Sequence, residues 1–558
     1  MAEDHSKQGS EVVYDALVDA DISTLIGLPG TQTLPLDRTI AERDDMRYIM
    51  ARHETAIPHI AWGYYEASGN PASTLTVPGP GDTNAMHGLK NAYNDNVPII
   101  HISADVNPSD RGKRPIHEIE PNTFDNVVKA NISVTKTHTL KKRIREGIEI
   151  ALSQPYGPVR LGIPSGFLQT EVDASRVSYE PATTDFDNKQ SYKKAKTALK
   201  SAETPVIYIG GGARRAANSQ NSITELVDML EVPVFGTYKG KGVFPEDRPE
   251  FIGITGSHLP AGGRRVLEMA DTVLALGCDF DGVSTDHWSL PMGETLIHVN
   301  INSDDINRSY SADIAIVADV ADAVNELLTR LSEGQYGWNG EAIGQSIRRE
   351  YINQLQTHGL LKADEPAKTP AVLREIRSVT PDDTIIITDV GGFRLWAKQV
   401  FPAYSADRYI TAGSWAGMGV GLPGAIGAKL ATSDIPIVCL TGDGGLLMCL
   451  QEFHTAVENN LDIVTVIFNN GDYATISKSS EIQEYGNGQR FSWNSPDFVD
   501  IATGFGCDAT KVTSASEVGR AVREGLERTG PYVIDVRIDT EEPSVKAVSD
   551  YNSTVSLE

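Results

Sequence analysis

Two strand-length apolar runs, residues 437–441 and 463–468, constrain the fold of this 558-residue chain more than any other feature. Each run is followed by a polar loop, Gly-Asp-Gly at 442–444 and Asn-Asn-Gly-Asp at 469–472. A helical pattern lies between them, which predicts a strand–helix–strand crossover of a parallel sheet. Because ligands of open parallel sheets bind beyond the carboxyl ends of the strands, we expect both loops at one binding edge.

The two loops carry the groups that a phosphate-bound divalent cation requires. Carboxylate, amide and main-chain oxygens are the hard ligands that Mg²⁺ prefers. Glycine allows backbone N–H groups to approach a phosphate at the start of a helix. Taken singly, each loop is better explained as an ordinary turn. Together, separated by residues 445–468 and each following an apolar strand, they predict a diphosphate and metal site.

The charge composition argues against two classes of binding partner. The chain has 75 acidic and 49 basic residues and a formal net charge of −26, which argues against nucleic acid and anionic membranes as partners. The sequence has no apolar run of the roughly 20 residues that span a membrane, and its first residues lack the apolar core of a signal peptide. We therefore expect a cytoplasmic enzyme. The acids are scattered, which predicts a halophilic protein because salt screens their repulsion.

The alternation of strand and helix patterns divides the chain into three α/β units. We expect doubly wound parallel-sheet domains at residues 1–170, 196–335 and 368–545, with polar connections at 170–195 and 336–367. The four cysteines are widely spaced and form no Cys-x-x-Cys pair, so we expect buried free thiols rather than a zinc or redox site.

Gly-Asp-Gly followed at this distance by Asn-Asn resembles the signature of thiamine diphosphate enzymes. The similarity to acetolactate synthase catalytic subunits covers essentially the whole chain, including residues 240–246 and 276–281. It implies a pyrimidine-binding, a central and a diphosphate-binding domain. It also implies that Mg²⁺ is held by Asp443, Asn470 and the main-chain carbonyl of Asp472. The residues implied at the diphosphate end of the cofactor are Gly391, Gly392, Gly442, Asp443, Gly444, Gly445, Asn470, Asp472 and Tyr473.

Glu54 follows a predicted strand in an Arg-His-Glu sequence. Considered alone, it is an acid in the first turn of a helix, where the helix dipole favours it. The family resemblance implies that Glu54 is the glutamate that activates the cofactor, with its carboxyl against N1′ of the aminopyrimidine so that the C2 proton is removed. An apolar surrounding would raise the pKa of that carboxyl and help it to move the proton.

Two further segments resemble the pyrimidine side of the family site. Gly-Pro-Gly at 79–81 with Asn84 matches the Gly-Pro-Gly-x-x-Asn pattern and implies that Pro80 and Asn84 line the pyrimidine. The glycine-rich segment 414–427 is explained equally well by close helix packing. The resemblance implies that Met418 holds the cofactor in a bent shape and that the Ala416 carbonyl binds its 4′-amino group, which is a positioning effect.

The sequence departs from the family pattern in three places. Gly392-Phe393 replaces a Gln-His pair, and residues 476–480 lack the Gln-Trp pair that shapes the acceptor site of the synthases. In the central unit, Arg215 stands where Gly-x-Gly-x-x-Gly requires its third glycine. The acceptor and the presence of FAD, which the synthases bind in this unit, therefore stay open.

We predict an enzyme that uses thiamine diphosphate and Mg²⁺ to decarboxylate a small 2-keto acid and ligates the remaining fragment to a second carbonyl. Acetolactate formation, a step of branched-chain amino acid biosynthesis, is the implied example. The alternatives are a decarboxylase without ligation, as in benzoylformate decarboxylase, a flavin-coupled keto-acid oxidase, and a non-catalytic paralogue that binds thiamine diphosphate. Because family sites join the first domain of one subunit to the third of another, the resemblance implies a homodimer or homotetramer. A small regulatory subunit stays open.

Overall fold

The computed structural model describes residues 6–173, 188–216, 218–331, 337–484, 486 and 488–555. It contains three six-stranded sheets in which every strand pair is parallel, each flanked by helices. The prediction of an α/β protein with three doubly wound parallel sheets is confirmed. The first five residues and most of the connection predicted at 170–195 lie outside the described residues.

The first sheet has the strand order β3-β2-β4-β5-β7-β6. A separate antiparallel pair joins β1 to β8. The order reverses between β2 and β4, so the cleft at their carboxyl ends opens beside the segments that carry Glu54 and Pro80. Its elements are β1 (Ser6–Gln8), α1 (Gly9–Val18), β2 (Thr24–Gly27), α2 (Leu34–Ala41), β3 (Arg47–Met50), α3 (Ala56–Ser68), β4 (Ala72–Thr76), α4 (Pro80–Asn94), β5 (Ile99–Asp105), β6 (Ala130–Ser133), α5 (Leu140–Ala151), β7 (Val159–Pro164), α6 (Ser165–Leu168) and β8 (Glu171–Asp173).

The central sheet has the order β11-β10-β9-β12-β13-β14 and reverses between β9 and β12. Its elements, with the helix that follows them, are α7 (Lys189–Ser201), β9 (Pro205–Ile209), α8 (Gly211–Arg215), α9 (Ser219–Leu230), β10 (Val234–Gly236), β11 (Phe251–Ile254), α10 (Ala261–Met269), β12 (Thr272–Leu276), β13 (Thr295–Asn300), β14 (Ile314–Val317), α11 (Val320–Arg330) and α12 (Gly340–Thr357).

The third sheet repeats the plan of the first, in the order β16-β15-β17-β18-β20-β19. Its inner strands are apolar along their length because helices cover both faces. Its elements are α13 (Thr369–Val379), β15 (Ile385–Thr388), α14 (Gly392–Val400), β16 (Tyr409–Thr411), α15 (Gly421–Ala431), β17 (Ile437–Gly442), α16 (Asp443–Leu446), α17 (Glu452–Glu458), β18 (Ile463–Asn469), α18 (Ala474–Ser477), α19 (Ser480–Glu484), α20 (Phe498–Gly504), β19 (Asp508–Val512), α21 (Ala515–Leu526), β20 (Tyr532–Arg537) and α22 (Val545–Ser549).

One local expectation was wrong, and one polar segment is more ordered than its composition indicates. The described part of the segment 336–367 contains the 18-residue helix α12, whose sparse apolar face packs on the central domain. Tertiary burial of a few residues, Ile343, Ile347 and Tyr351 among them, stabilises this helix despite its polar composition. The single helix expected after residue 445 is two short helices, α16 and α17.

The first and third domains share one hydrophobic core, in which α3 packs against α15. A Cβ added at Gly63 would lie 2.1 Å from the carbonyl oxygen of Gly424, and one added at Gly427 would lie 1.9 Å from that of Ile60. Such distances are too short for any side chain, so the two helix backbones are in direct contact. Close packing therefore accounts for the glycines at the C-terminal end of segment 414–427.

A buried ionic cluster joins the three domains. The carboxylate of Glu66, which is fully buried, pairs with Arg214 at 2.7 Å, Arg215 at 2.5 Å and Lys239 at 3.1 Å. Burial alone would raise the pKa of Glu66, but the three cations lower it to about 2. Lys239 also pairs with Asp95, which accepts a hydrogen bond from the Gly413 amide at 3.0 Å. Removing one member would leave charges buried without a partner, so the cluster fixes the domains together.

Two smaller expectations concern the cysteines and the membrane. Cys278, Cys439, Cys449 and Cys507 are all buried and free, as predicted. Among the helices that the structure describes, none has both the length and the apolar character needed to cross a membrane.

Candidate active site

A cleft at the carboxyl edge of the third sheet contains most of the predicted site. It opens where the strand order reverses between β15 and β17, as expected for an open parallel sheet. The predicted residues that line it are Gly391, Gly392, Ala416, Met418, Gly442, Asp443, Gly444, Gly445, Asn470, Asp472 and Tyr473. Four segments that are separate in sequence are therefore brought together at one edge.

Asp443 connects the two loops that the sequence predicted to hold a metal. Its Oδ2 accepts a hydrogen bond from the Gly471 amide at 2.8 Å, and its Oδ1 accepts one from the Gly444 amide at 3.0 Å. Burial raises the pKa of Asp443 to about 6, although these hydrogen bonds act in the opposite direction. Among the described residues no cation pairs with this carboxylate, so its charge is available to a metal ion.

The second loop has the conformation that places oxygen ligands near Asp443. The side-chain oxygen of Asn470 accepts a hydrogen bond from the Asp472 amide at 3.1 Å, which closes a tight turn. Gly471 has a φ of +64°, a conformation that favours glycine. One carboxyl oxygen of Asp472 is buried without a hydrogen-bond partner. In the described part of the chain there is no cluster of three His, Cys, Asp or Glu side chains that could bind a metal, so any site here depends on amide and main-chain oxygens as well.

The glycines of the cleft leave room for a ligand. A Cβ added at Gly392 would have no neighbour closer than 3.7 Å, and one added at Gly442 none closer than 3.6 Å. Gly392 also begins helix α14, whose first N–H groups have no partner within the helix. This combination of open backbone and a helix N-terminus fits a phosphate group.

Asp389 fixes the loops that surround this space. It is fully buried and accepts hydrogen bonds from the Gly419 amide at 2.9 Å and from the Thr441 hydroxyl at 3.0 Å. Ala416, on the same loop as Gly419, has a φ of +48°, which is rare for alanine. Such strain persists where the surrounding structure imposes it, often at a ligand site. The strained Ala416 backbone is consistent with the predicted role of its carbonyl.

Glu54, Pro80 and Asn84 form a separate cluster on the first domain. The Asn84 side-chain amide donates to Glu54 at 3.0 Å, and the Thr55 hydroxyl donates to the Asn84 carbonyl at 3.1 Å. None of the three predicted residues lines the cleft of the third domain within one chain. The first domain does approach Met418 on another side, where Thr55, Ala56 and His87 line a second cavity with it. Within one chain, the predicted residues therefore form two separate groups.

Several residues in or beside the cleft were not predicted. Trp493 packs against Tyr473 with 4.7 Å between ring centroids, and the Ser495 hydroxyl donates to Asn469 at 2.7 Å, so both lie next to the cleft. Residues 493–495 follow the Asn-Asn-Gly-Asp loop by about twenty positions and carry no motif. Arg394 and Lys398 also line the cleft. Two basic residues four positions apart, among apolar neighbours directly after a glycine pair, were the signal that could have identified them.

Comparison with known proteins agrees with this geometry. Residues 7–127 match the N-terminal TPP binding domain of thiamine pyrophosphate enzymes, residues 192–327 match the central domain, and residues 389–536 match the C-terminal TPP binding domain. The chain belongs to the thiamine pyrophosphate (thiamine diphosphate) enzyme family.

The relatives specify the branch of that family. A probable acetolactate synthase large subunit of Methanococcus aeolicus is 30% identical over 95% of this chain and 92% of its own length. The large subunit of acetolactate synthase isozyme 1 of Escherichia coli is 29% identical over 96% of this chain and 94% of its own. The mitochondrial acetolactate synthase catalytic subunit of Saccharomyces cerevisiae is 25% identical over 97% of this chain and 82% of its own length. The predicted resemblance to acetolactate synthase catalytic subunits is confirmed.

Proposed function

We propose that this protein decarboxylates a small 2-keto acid with thiamine diphosphate and Mg²⁺ and ligates the remaining fragment to a second carbonyl compound. The observation on which the proposal rests is the hydrogen bond that the Gly471 amide donates to the Asp443 carboxylate. It holds the Gly-Asp-Gly and Asn-Asn loops together at the edge where the sheet order reverses. The names of the relatives support acetolactate as the product, and hence a place in branched-chain amino acid biosynthesis.

The third domain would hold the metal and the diphosphate. Mg²⁺ would bind the side chains of Asp443 and Asn470 and the carbonyl of Asp472, a set of hard oxygen ligands. The backbone around Gly391 and Gly392, at the start of α14, would donate to the phosphates. When bound, the thiazolium ring of the cofactor supplies the electron sink that loss of CO₂ requires.

The first domain would supply the proton-transfer group. Glu54 would hold a proton at N1′ of the aminopyrimidine, and the hydrogen bond from Asn84 fixes the orientation of its carboxyl. Because Glu54, Pro80 and Asn84 lie outside the third-domain cleft of the same chain, a second copy would bring them to it. A homodimer is then the smallest assembly with a complete active site, and a homotetramer would contain two such dimers. The name "large subunit" carried by relatives is the ground for proposing a small regulatory partner.

FAD is not part of this proposal, because the central domain does not fit its diphosphate. The amides of Gly210 and Gly212 already donate to the carbonyls of Leu276 and Gly277, at 2.8 and 2.9 Å. A Cβ added at Gly210 would lie 2.2 Å from the Gly277 carbonyl oxygen, so these glycines serve close packing of two turns.

The charge of the cavity beside Gly211 and Gly212 of the central domain also disfavours FAD. The wall of this central cleft includes Asp279, Asp281, Asp305 and Asp319. Loss of hydration and repulsion from Asp281 and Asp305 raise the pKa of Asp279 to about 7. The basic groups of the same cleft, Arg214, Arg215 and Lys239, are engaged by Glu66. A diphosphate placed here would meet carboxylates rather than free cations.

We therefore expect the purified protein to be colourless. Its visible spectrum should show no flavin band, and added FAD should leave the rate of keto-acid consumption unchanged. Mass spectrometry of the acid-denatured supernatant provides the check. A stoichiometric flavin, bleached on addition of pyruvate, would instead support the keto-acid oxidase alternative.

Product analysis tests the reaction itself. With pyruvate, thiamine diphosphate and Mg²⁺, we expect acetolactate as the main product, because pyruvate can serve as both donor and acceptor and the relatives are named acetolactate synthases. The measurement is quantitative chromatography of the reaction mixture, run in molar KCl and in dilute buffer. Higher stability and activity in KCl are expected from the excess of acids, since salt screens their repulsion. Acetaldehyde as the main product would replace ligation with simple decarboxylation.

We propose that the enzyme is cytoplasmic and that its substrates are small 2-keto acids. The net charge of −26 is the ground for proposing neither nucleic acid nor an anionic membrane as a partner.

A further inference from the structure

Two basic side chains on one face of helix α14 line the proposed active-site cleft. Arg394 and Lys398 are four residues apart, and each is only 5% exposed. Both approach the ring of Tyr238 of the central domain, the guanidinium carbon of Arg394 at 5.3 Å and the Lys398 ammonium at 5.0 Å from the ring centroid. The cations therefore lie where the wall of the cleft passes from the third domain to the central domain.

The hydrogen-bonding capacity of this pair is largely unused. One terminal nitrogen of Arg394 donates to the Ala412 carbonyl at 2.6 Å, but its Nε is buried without a partner. Among the described residues, the Lys398 ammonium makes neither an ion pair nor a hydrogen bond. Burial, reinforced by the charge of Arg394, lowers the pKa of Lys398 to about 7.

The other charged groups near Lys398 do not neutralise it. Asp281 favours its charged form, but the Asp281 carboxylate is occupied by its own loop. It accepts hydrogen bonds from the amides of Val283 and Ser284, at 2.7 and 3.1 Å, and from the Ser284 hydroxyl at 2.9 Å. His258 lies within electrostatic range, and burial together with the Lys398 charge lowers its pKa to about 4, so it is neutral.

The fold supplies partners for its other buried cations. Lys241 pairs with Glu246 at 2.5 Å, and Arg160 pairs with Asp82 at 2.7 Å. Burying a cation without a partner costs free energy, and a second cation beside it adds to that cost. A pair of this kind on the wall of a cleft indicates a site where an anion completes the interaction.

We propose that Arg394 and Lys398 form an anion subsite that binds the carboxylate of the second substrate, the 2-keto acid that accepts the transferred fragment. This rests on the proposed function of the cleft. The carboxylate of the first substrate is lost as CO₂, and a cation holding it would stabilise the ground state and oppose that loss. The carboxylate of the acceptor stays ionised throughout, so binding it to a cation costs nothing in the chemical step. The subsite thus selects a keto acid over an aldehyde as acceptor.

The test compares two acceptors of similar size, 2-ketobutyrate and propanal, with pyruvate as donor and the loaded enzyme. Lys398→Met removes the charge but keeps the length of the side chain, and Lys398→Arg keeps the charge. We expect Lys398→Met to lower kcat/KM for 2-ketobutyrate relative to propanal about 10- to 100-fold, the range of a charged hydrogen bond. Lys398→Arg should restore much of the preference. An unchanged acceptor ratio in Lys398→Met would overturn the proposal.

Thermal unfolding gives a readout that does not depend on turnover. Because Lys398 is buried without a partner, Lys398→Met should raise the Tm measured without keto acid. Lys429→Met is the matched control, since the Lys429 ammonium is also largely buried but donates to the carbonyls of Ser433 and Ile435 at 2.7 and 3.1 Å. That variant should lower the Tm and leave the acceptor ratio unchanged. A lower Tm in Lys398→Met would mean that Lys398 is a structural residue.

The same measurement separates this inference from the proposed function. 2-Ketobutyrate should raise the Tm of the wild-type protein and have a much smaller effect on Lys398→Met. If the wild type forms no product from any keto acid, the proposed function fails, yet this difference in Tm would still support an anion subsite. If 2-ketobutyrate leaves the Tm of the wild type unchanged, the subsite is refuted whatever the products are.

Discussion

Replacing Glu54 with glutamine will lower kcat for pyruvate by about 10²- to 10⁴-fold, the usual contribution of a positioned proton-transfer group. Glutamine has nearly the same shape and can still accept the hydrogen bond that Asn84 donates at 3.0 Å. It cannot gain or lose a proton at the carboxyl position. The change therefore removes the proton transfer at the cofactor ring and leaves the geometry of the first-domain cluster in place.

Binding of the cofactor separates this effect from a general loss of structure. Because Glu54 is not part of the third-domain cleft, the affinity for thiamine diphosphate measured by calorimetry should change only a few-fold. Glu120→Gln, an exposed acid of the same domain, is the matched control and should behave as the wild type. Turnover above a tenth of the wild-type rate in Glu54→Gln would remove the catalytic assignment.

Replacing Asp443 with asparagine will weaken the binding of thiamine diphosphate and Mg²⁺ together by about 100-fold or more, because carboxylate charge sets the affinity of oxygen-ligand sites for divalent cations. Asparagine keeps one oxygen to accept from the Gly471 amide, so the two loops should stay together. Asp443→Asn removes only the negative charge of the carboxylate, which is buried and has no cationic partner among the described residues.

Ligand-dependent stability is the measurement that checks this prediction. At a ligand concentration 100 times its Kd, binding stabilises the wild type by about 2.7 kcal/mol. The corresponding rise in Tm should largely disappear in Asp443→Asn, while Asp434→Asn, an exposed change in the same domain, should retain it. An Asp443→Asn protein that still gains full stability from Mg²⁺ and the cofactor would show that the metal binds elsewhere.

These two predictions draw on residues that the sequence could place. The loops around Asp443 and Asn470 follow apolar strands directly, and local turn chemistry positions their oxygens, so their meeting at one edge follows from parallel-sheet geometry. Glu54 lies just after β3 of the first sheet, and Asn84 lies in α4, the helix that follows β4. Their assignment to the active site is still a prediction, because it needs the third domain of another chain.

Other residues were beyond local inference. The incomplete glycine pattern that begins at Gly210 left FAD binding open, but the amides of Gly210 and Gly212 donate to the carbonyls of Leu276 and Gly277, more than sixty residues away in sequence. Arg394 and Lys398 are near a predicted loop, yet the absence of an ion-pair partner for each among the described residues depends on where Tyr238 and Asp281 of the central domain lie. No pattern within a short segment carries that information.

The sequence by itself determined the three parallel sheets and the position of the loops that we propose to bind the diphosphate, because strand and helix periodicity and glycine turns are properties of short segments. Only the tertiary structure decided which backbone amides are free and which buried charges are paired. Those properties depend on distances between residues of different domains. Two buried charges illustrate this difference. The packing of the domains gives the Glu66 carboxylate three ion-pair partners, whereas the Lys398 ammonium has no ion-pair partner among the described residues.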